Sequence, residues 1–264
     1  SGGGGDVAFI YHPLDEFELE HGSGPMWARF AMTLGMELGK GGYRLLMLEK
    51  SEASGQRLYA SAALAFAETT DELDVPEFPF GVPVWVASPG PTDPHSRISF
   101  DFTRIASDAL TFLAATLTRP DRGNIRVAVC VRGVQDPPFT APMLEALERV
   151  GAQLSITVVS KWVDPRDDLQ LEAFIAFARA QEIDVILSWG VPIPQQAIGV
   201  GDPCDPVVFA FCENELPTEF APATPHLSFC LDGAARQISS EVSAVLQGRE
   251  PENIVLGHKL MATL

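Results

Sequence analysis

Asp101 lies in Ile98-Ser-Phe-Asp-Phe102, where a short apolar run gives way to a helical pattern. A carboxylate at such a strand end can accept a pair of hydrogen bonds from ligand hydroxyls. It can equally cap the following helix by accepting a backbone N–H. Trp189 follows an apolar run that ends at Ser188, and Trp162 comes just after the run 154–159. Large rings at strand ends offer flat apolar area on which a sugar-like ring can stack, or else they pack between elements. Tyr11 and His12 close the first apolar run, and Phe17 lies in the loop behind them. Each could line a binding site, and each could be a structural residue of its loop. Arg132, after the run 125–131, could pair with an anionic ligand group or form a surface ion pair. Glu213 and Asn214, after the run 206–211, could bind hydroxyls or serve as loop and cap residues.

The remaining chemistry-bearing residues point to a binder and not an enzyme. There is no G-x-S-x-G elbow, no P-loop, no H-E-x-x-H and no G-x-G-x-x-G after a strand. The five histidines are scattered without ligand spacing, so no metal and no cofactor are expected. Cys130, Cys204, Cys212 and Cys230 form no C-x-x-C pair. Cys130 and Cys230 sit in apolar runs, as buried reduced thiols do. Asp164-Pro-Arg-Asp-Asp168 lacks the spacing of a calcium loop. It suits a helix N-terminus, where carboxylates are favoured.

The elements that must position these residues follow from periodicity. Residues 6–11 read as a buried parallel strand and 43–48 as the next strand. Between them, Trp27, Phe30, Ala31, Leu34 and Leu38 share one face of a helix over 25–40, which Gly41-Gly42 ends. Residues 61–67 fit a strand or a helix. Further strands are expected at 82–87, 98–102, 125–131, 154–159, 184–188, 206–211 and 253–261. Helices are expected at 103–117, 141–150, 167–180 and 233–246. The βα rhythm runs twice, with a polar break at Arg119-Pro-Asp-Arg-Gly123. That pattern predicts an α/β protein of two doubly wound lobes with mostly parallel sheets. In such sheets ligands bind beyond the C-terminal strand ends, which in two lobes can face one cleft.

The chain has 264 residues, about two lobes' worth. Eighteen Lys and Arg against 35 Asp and Glu leave a net charge of −17. Phosphate backbones and anionic membrane surfaces attract Lys- and Arg-rich chains, so neither is an expected partner of this one. No apolar run reaches the ~18 residues a membrane span needs. Ser1-Gly-Gly-Gly-Gly5 has neither the basic nor the apolar region of a signal peptide. It reads as a linker or expression scar, and a cytoplasmic location is the expectation.

The order of these pieces resembles the effector-binding core of the LacI/GalR family of transcriptional repressors, a periplasmic-binding-protein-like type I fold. Asp6-Val-Ala-Phe-Ile-Tyr11 is similar to the family's first strand, and Met36-Glu-Leu-Gly-Lys-Gly-Gly-Tyr-Arg-Leu-Leu46 to its first helix and second strand. Gly81-Val-Pro-Val-Trp-Val86 resembles a "GIPVV" strand. Val207-Val-Phe-Ala-Phe211 resembles "VVGFD", and Leu227-Ser-Phe-Cys-Leu-Asp232 resembles the crossing before the family's last helix. The likeness extends over about 250 residues in order and spacing, though each motif alone is weak.

The resemblance implies one lobe from 6–118 plus 231–250 and another from 122–228 plus 253–264. It implies a small, sugar-like effector between the lobes, a homodimer, and operator DNA held only by a helix-turn-helix headpiece that is not in this chain. Phe139 stands near the place of a family arginine that reaches into the cleft. Trp189-Gly-Val191 replaces an "ND" pair, and Cys212-Glu213 stands at "DD". Much of the family's polar set is therefore missing, and a ligand less polar than a free sugar is one implication. A solute-binding protein of an ABC sugar transporter is the competing expectation.

Overall fold

The computed structural model describes residues 5–11, 24–49, 59–66, 81–88, 92, 95–117, 124–132, 140–164, 167–189, 191, 193, 198, 205–212, 215–216, 220–221 and 223–261. They divide into two units, each built on one six-stranded sheet.

The first unit holds β1 (Asp6–Tyr11), α1 (Gly24–Lys40), β2 (Arg44–Glu49), β3 (Ala62–Phe66), β4 (Val84–Ala87) and β5 (Ser96–Phe100). The open choice at 61–67 resolves as strand β3: the run is short and pairs on both sides, with β1 and β4. The strand order is β11-β5-β4-β3-β1-β2, where β11 (Ile254–Leu256) comes from the far end of the chain. Alternate residues serve the two faces, because a strand repeats every two. Val7, Phe9, Leu64, Trp85 and Ile98 face one cluster, and Ala8, Ile10, Ala63, Val84 and Val86 the other. Phe30, Leu34 and Leu38, one stripe of α1, join the first cluster together with Ala235, Ile238 and Val242 of α5 (Leu231–Leu246). Leu34 and Leu38 are fully buried, each contributing about 1.5–3 kcal/mol. The buried Trp85 indole donates to Glu252 O at 2.9 Å, so its one polar atom is satisfied. Past α1, Gly42 takes φ +82, a left-handed turn that residues with a Cβ resist.

The second unit begins at Asp101 and takes in α2 (Phe102–Thr116), β6 (Ile125–Arg132), α3 (Thr140–Gln153), β7 (Ile156–Val163), α4 (Asp168–Ala180), β8 (Val185–Trp189), β9 (Val207–Cys212), β10 (His226–Ser228) and β12 (Lys259–Met261). The order is β12-β10-β9-β8-β6-β7. Val127, Val129 and Val131 of β6 stand in register with Val185, Leu187 and Trp189 of β8. On the opposite face Ala128, Cys130, Ile186 and Ala210 pack with Phe174, Ile175 and Ala178 of α4. Burial pushes the Cys130 thiol up to about 12, so it stays neutral.

Two expected boundaries change. Residues 102–116 were expected in the first lobe, but α2 packs with α3 in the second unit. The single closing strand expected over 253–261 is two. Ile254–Leu256 runs parallel to β5 in the first sheet, and Lys259–Met261 runs antiparallel to β10 in the second. The apolar run shows only that both pieces are extended; it does not say which sheet each joins. The strand-like run before Cys230 forms β10, only three residues long.

Candidate functional site

The C-terminal strand ends of the second unit collect rings. Register pairs Val131 of β6 with Trp162 of β7 on one side and with Trp189 of β8 on the other. Trp189 in turn pairs with Phe211 of β9. In-register residues of parallel strands point to one face, so these side chains form a row across four strands. The chain then leaves β10 at Phe229, whose N–H donates to Cys212 O at 2.8 Å and so extends the ladder by one bond.

Three of these rings form a closed triangle. Trp189 lies 5.3 Å from Phe211 and 5.6 Å from Phe229, tilted by 55° and 52°. Phe211 and Phe229 are 5.9 Å apart and stacked at 26°. These separations fall in the range where offset and tilted ring pairs attract. Phe211 is buried, whereas Trp189 and Phe229 keep part of their surface in solvent. Below them Phe209 is fully buried and touches Phe112 of α2, at 6.0 Å between centroids. The strand interior is thus closed by packing, and the strand tips present aromatic surface.

Some described polar groups near this end have protein partners. Buried Ser188, in register with Cys130 and Ala210 and so on the face opposite Trp189, donates from Oγ to Val191 O. His258 precedes Lys259, the register partner of Ser228, and its Nε2 lies 2.7 Å from Asp108 Oδ2 on α2. On the other face of β7, the Lys161 ammonium sits 4.1 Å above the Phe177 ring.

Asp101 accepts Arg104 N–H at 3.0 Å and is the N-cap of α2. Its Oδ1 therefore does the capping work that the sequence allowed, while the residue stays exposed. Asp167 caps α4 in the same way, accepting from Leu169 N–H at 3.0 Å, so the acidic stretch 164–168 ends in a helix start. Trp162 falls inside β7, not after it, and is 43% exposed on that edge strand. Trp189 is the last residue of β8. Tyr11 ends β1 in the first unit and packs against its core, 6.5 Å from Phe9. Arg132 ends β6, paired with Val163. His12, Phe17, Phe139, Glu213 and Asn214 lie outside the described residues.

Sequence reasoning missed Phe211 and Phe229. The signal for Phe211 was present in the alternation Phe209-Ala-Phe211, which puts two rings on one face. Phe229 belongs to the apolar run before Cys230, but it follows a strand of only three residues, too short to show which face the ring takes. Among the described residues no three His, Cys, Asp or Glu side chains come together as a metal site requires, and no helix is long and apolar enough to cross a membrane.

The two mostly parallel sheets, each in the order second-first-third-fourth-fifth strand with a sixth strand from the chain's end, define a periplasmic-binding-protein-like type I fold. Solved structures share it along nearly the whole chain. A LacI family transcriptional regulator from Bifidobacterium animalis subsp. lactis matches with TM-score 0.71 and 14% identity, over 97% of this chain and 95% of that one. A transcriptional regulator CelR–cellobiose complex matches with TM-score 0.68 and 17% identity, over 97% and 83%. A periplasmic ribose ABC transporter protein from Conexibacter woesei matches with TM-score 0.67 and 14% identity, over 98% and 92%. No protein-family profile and no curated protein sequence matches the chain.

Proposed function

We propose that this chain is the effector-binding domain of a LacI/GalR-type transcriptional regulator, not an enzyme, and that it binds a small sugar-like molecule at the C-terminal strand ends. The observation that carries the reading is the fold itself, shared over 97% of the chain with regulators, one of them described as a cellobiose complex. The aromatic tips of β8, β9 and β10 supply the surface such a ligand would stack on. Asp101, Trp162, Trp189, Tyr11 and Arg132 are the described residues proposed to contact it, with His12, Phe17, Phe139, Glu213 and Asn214 as further candidates.

In this reading the ligand acts by binding one conformation of the regulator more tightly than another. The net charge of −17 opposes contact with DNA phosphates, so operator DNA is held by a basic segment outside this sequence, in the cytoplasm. The protein works as a homodimer. Support for that comes from the first unit, where Met32 and Met36, one turn apart on α1, are 62% and 64% exposed, and Met47 on edge strand β2 is 46% exposed. Sedimentation should show a dimer that Met36→Glu with Met47→Glu converts to monomer without lowering the melting temperature of the chain at low concentration.

The deciding experiment is a thermal-shift screen of sugars, nucleosides and small acids, since a ligand that binds only the folded state raises the melting point by mass action. A hit that also changes operator binding by the full-length gene product supports the regulator. The transporter reading keeps one specific support, the ribose transporter protein of the same fold. A monomer that binds sugar and has no effect on DNA would favour it.

A further inference from the structure

We propose that His258 and Asp108 latch the last strand, β12, to α2, and that Gly257 is the pivot beside the latch, so that 254–256 moves with the first sheet and 259–261 with the second. The proposal goes beyond ligand binding. It concerns how the chain is passed from one unit to the other, and its failure would leave the effector reading intact.

Three observations lead there. First, the passage is short and its two residues are opposites. Only Gly257 and His258 stand between β11, parallel to β5, and β12, antiparallel to β10. The first unit ends at Gly257, and the second resumes at His258. Gly257 is exposed, and a Cβ placed on it would meet no heavy atom of the described residues within 4 Å beyond its chain neighbours. With no side chain to restrict it and no neighbour to hold it, it can absorb a change in φ and ψ as hinge residues do. His258 keeps only 7% of its side chain in solvent, and its Nε2 lies 2.7 Å from Asp108 Oδ2. A carboxylate only accepts, so Nε2 carries the hydrogen and donates it.

Secondly, β12 has little else to hold it. It is three residues long and lies at the edge of its sheet, with Lys259 exposed and Met261 38% exposed. A short edge strand that buries so little opens readily unless something fastens it. Thirdly, the mount is rigid. Ile105, Ala109, Leu110 and Leu113 of α2 are buried, and the helix packs on α3. Asp101, where the chain enters the second unit from β5, caps the same helix. Asp101 and Asp108 are two turns apart on one side of α2, about 10 Å along its axis. One helix thus fixes both the entry at Asp101 and the re-entry at His258.

The test is amide hydrogen exchange of the whole chain, read by mass spectrometry. Asp108→Ala is the main variant, because that side chain is 43% exposed and its loss leaves little cavity. Exchange at 259–261 and at its partner strand 226–228 should rise at least about tenfold, while that at 254–256 stays within about twofold. His258→Ala should do the same. His258→Gln, whose amide can donate to Asp108, should keep most of the protection. A silent Asp108→Ala overturns the latch, and so does an effect of His258→Ala that Gln fails to rescue, since the ring would then act by packing alone. A rise that continues through 254–256 overturns the pivot. A rise spread evenly over both sheets overturns the whole proposal, because it reports a general loss of stability.

Discussion

The two units repeat one topology and finish it differently. Each sheet runs second-first-third-fourth-fifth strand, and each accepts a sixth strand from the segment 254–261. In the first unit that strand is parallel to its neighbour, and in the second it is antiparallel. Rings climb both sheets, but they keep different company. In the first unit Phe9 is buried in mid-strand, stacked on Phe66 at 4.9 Å and close to Phe30 of α1, while Tyr11 and Phe66 end their strands part-exposed and pack against that core. In the second unit Phe209 holds the mid-strand place, and Trp189, Phe211 and Phe229 form a mutual triangle at the strand ends, with Phe211 buried and the other two part-exposed. The same βα scaffold thus ties its strand-end rings to a helix-backed core in one unit and to one another in the other.

The largest test of that contrast truncates the mid-strand rings. Phe9→Ala and Phe209→Ala should each cost about 3–5 kcal/mol of unfolding free energy, because both rings are buried and leave cavities. Denaturant titration followed by circular dichroism measures it. A small loss for either one would mean that its unit is less tightly packed than the other.

Cys130 adds a pH arm confined to the second unit. Its thiol ionises near 12 in the folded chain against 9.0 when exposed. Below 9.0 neither state loses the proton, and stability is unaffected. Above it the unfolded chain releases a proton that the folded chain keeps, so stability should fall by about 1.4 kcal/mol per pH unit until the folded thiol also ionises. Cys130→Ala should flatten that slope between pH 9.5 and 11, roughly the window between the two ionisations. In the native protein Cys130 should resist alkylation at pH 8, whereas part-exposed Cys230 should react.

Trp189→Ala should act the other way round from Phe209→Ala. The ring is only part-buried, so about 1–2 kcal/mol of stability is at stake, while ligand-induced melting shifts should vanish. If stability dropped as far as for Phe209→Ala, the strand tips would be core and not surface.

Smaller effects attach to the caps. Asp101→Ala and Asp167→Ala should each cost about 1 kcal/mol, and Asn at either place should recover most of it. Smallest is the exposed Arg44–Asp6 pair at the edge of the first sheet, where Arg44→Ala should change stability by less than about 1 kcal/mol.

Much of this was legible in the residues before any fold was seen. Apolar runs of four to eight residues marked most strands, and the stripe Phe30, Leu34 and Leu38 marked α1 and the face it buries. Asp167 announced a helix start, and Trp189 a ring at a strand end, because cap chemistry and alternation are local. Asp101 could be placed but its role could not be chosen, since a cap and a ligand group need the same carboxylate.

What only tertiary structure decided is partnership between distant segments. Local periodicity makes 254–261 extended, but which sheet each half joins depends on edges built from residues 96–100 and 226–228. Helix 102–116 has an apolar stripe that either unit could have buried; its packing against α3 settled the matter. Phe211 and Phe229 lie eighteen residues apart in sequence, and they become neighbours only because β9 and β10 pair in parallel. A short-range pattern states which face a side chain takes, whereas long-range pairing free energy selects the company it keeps there.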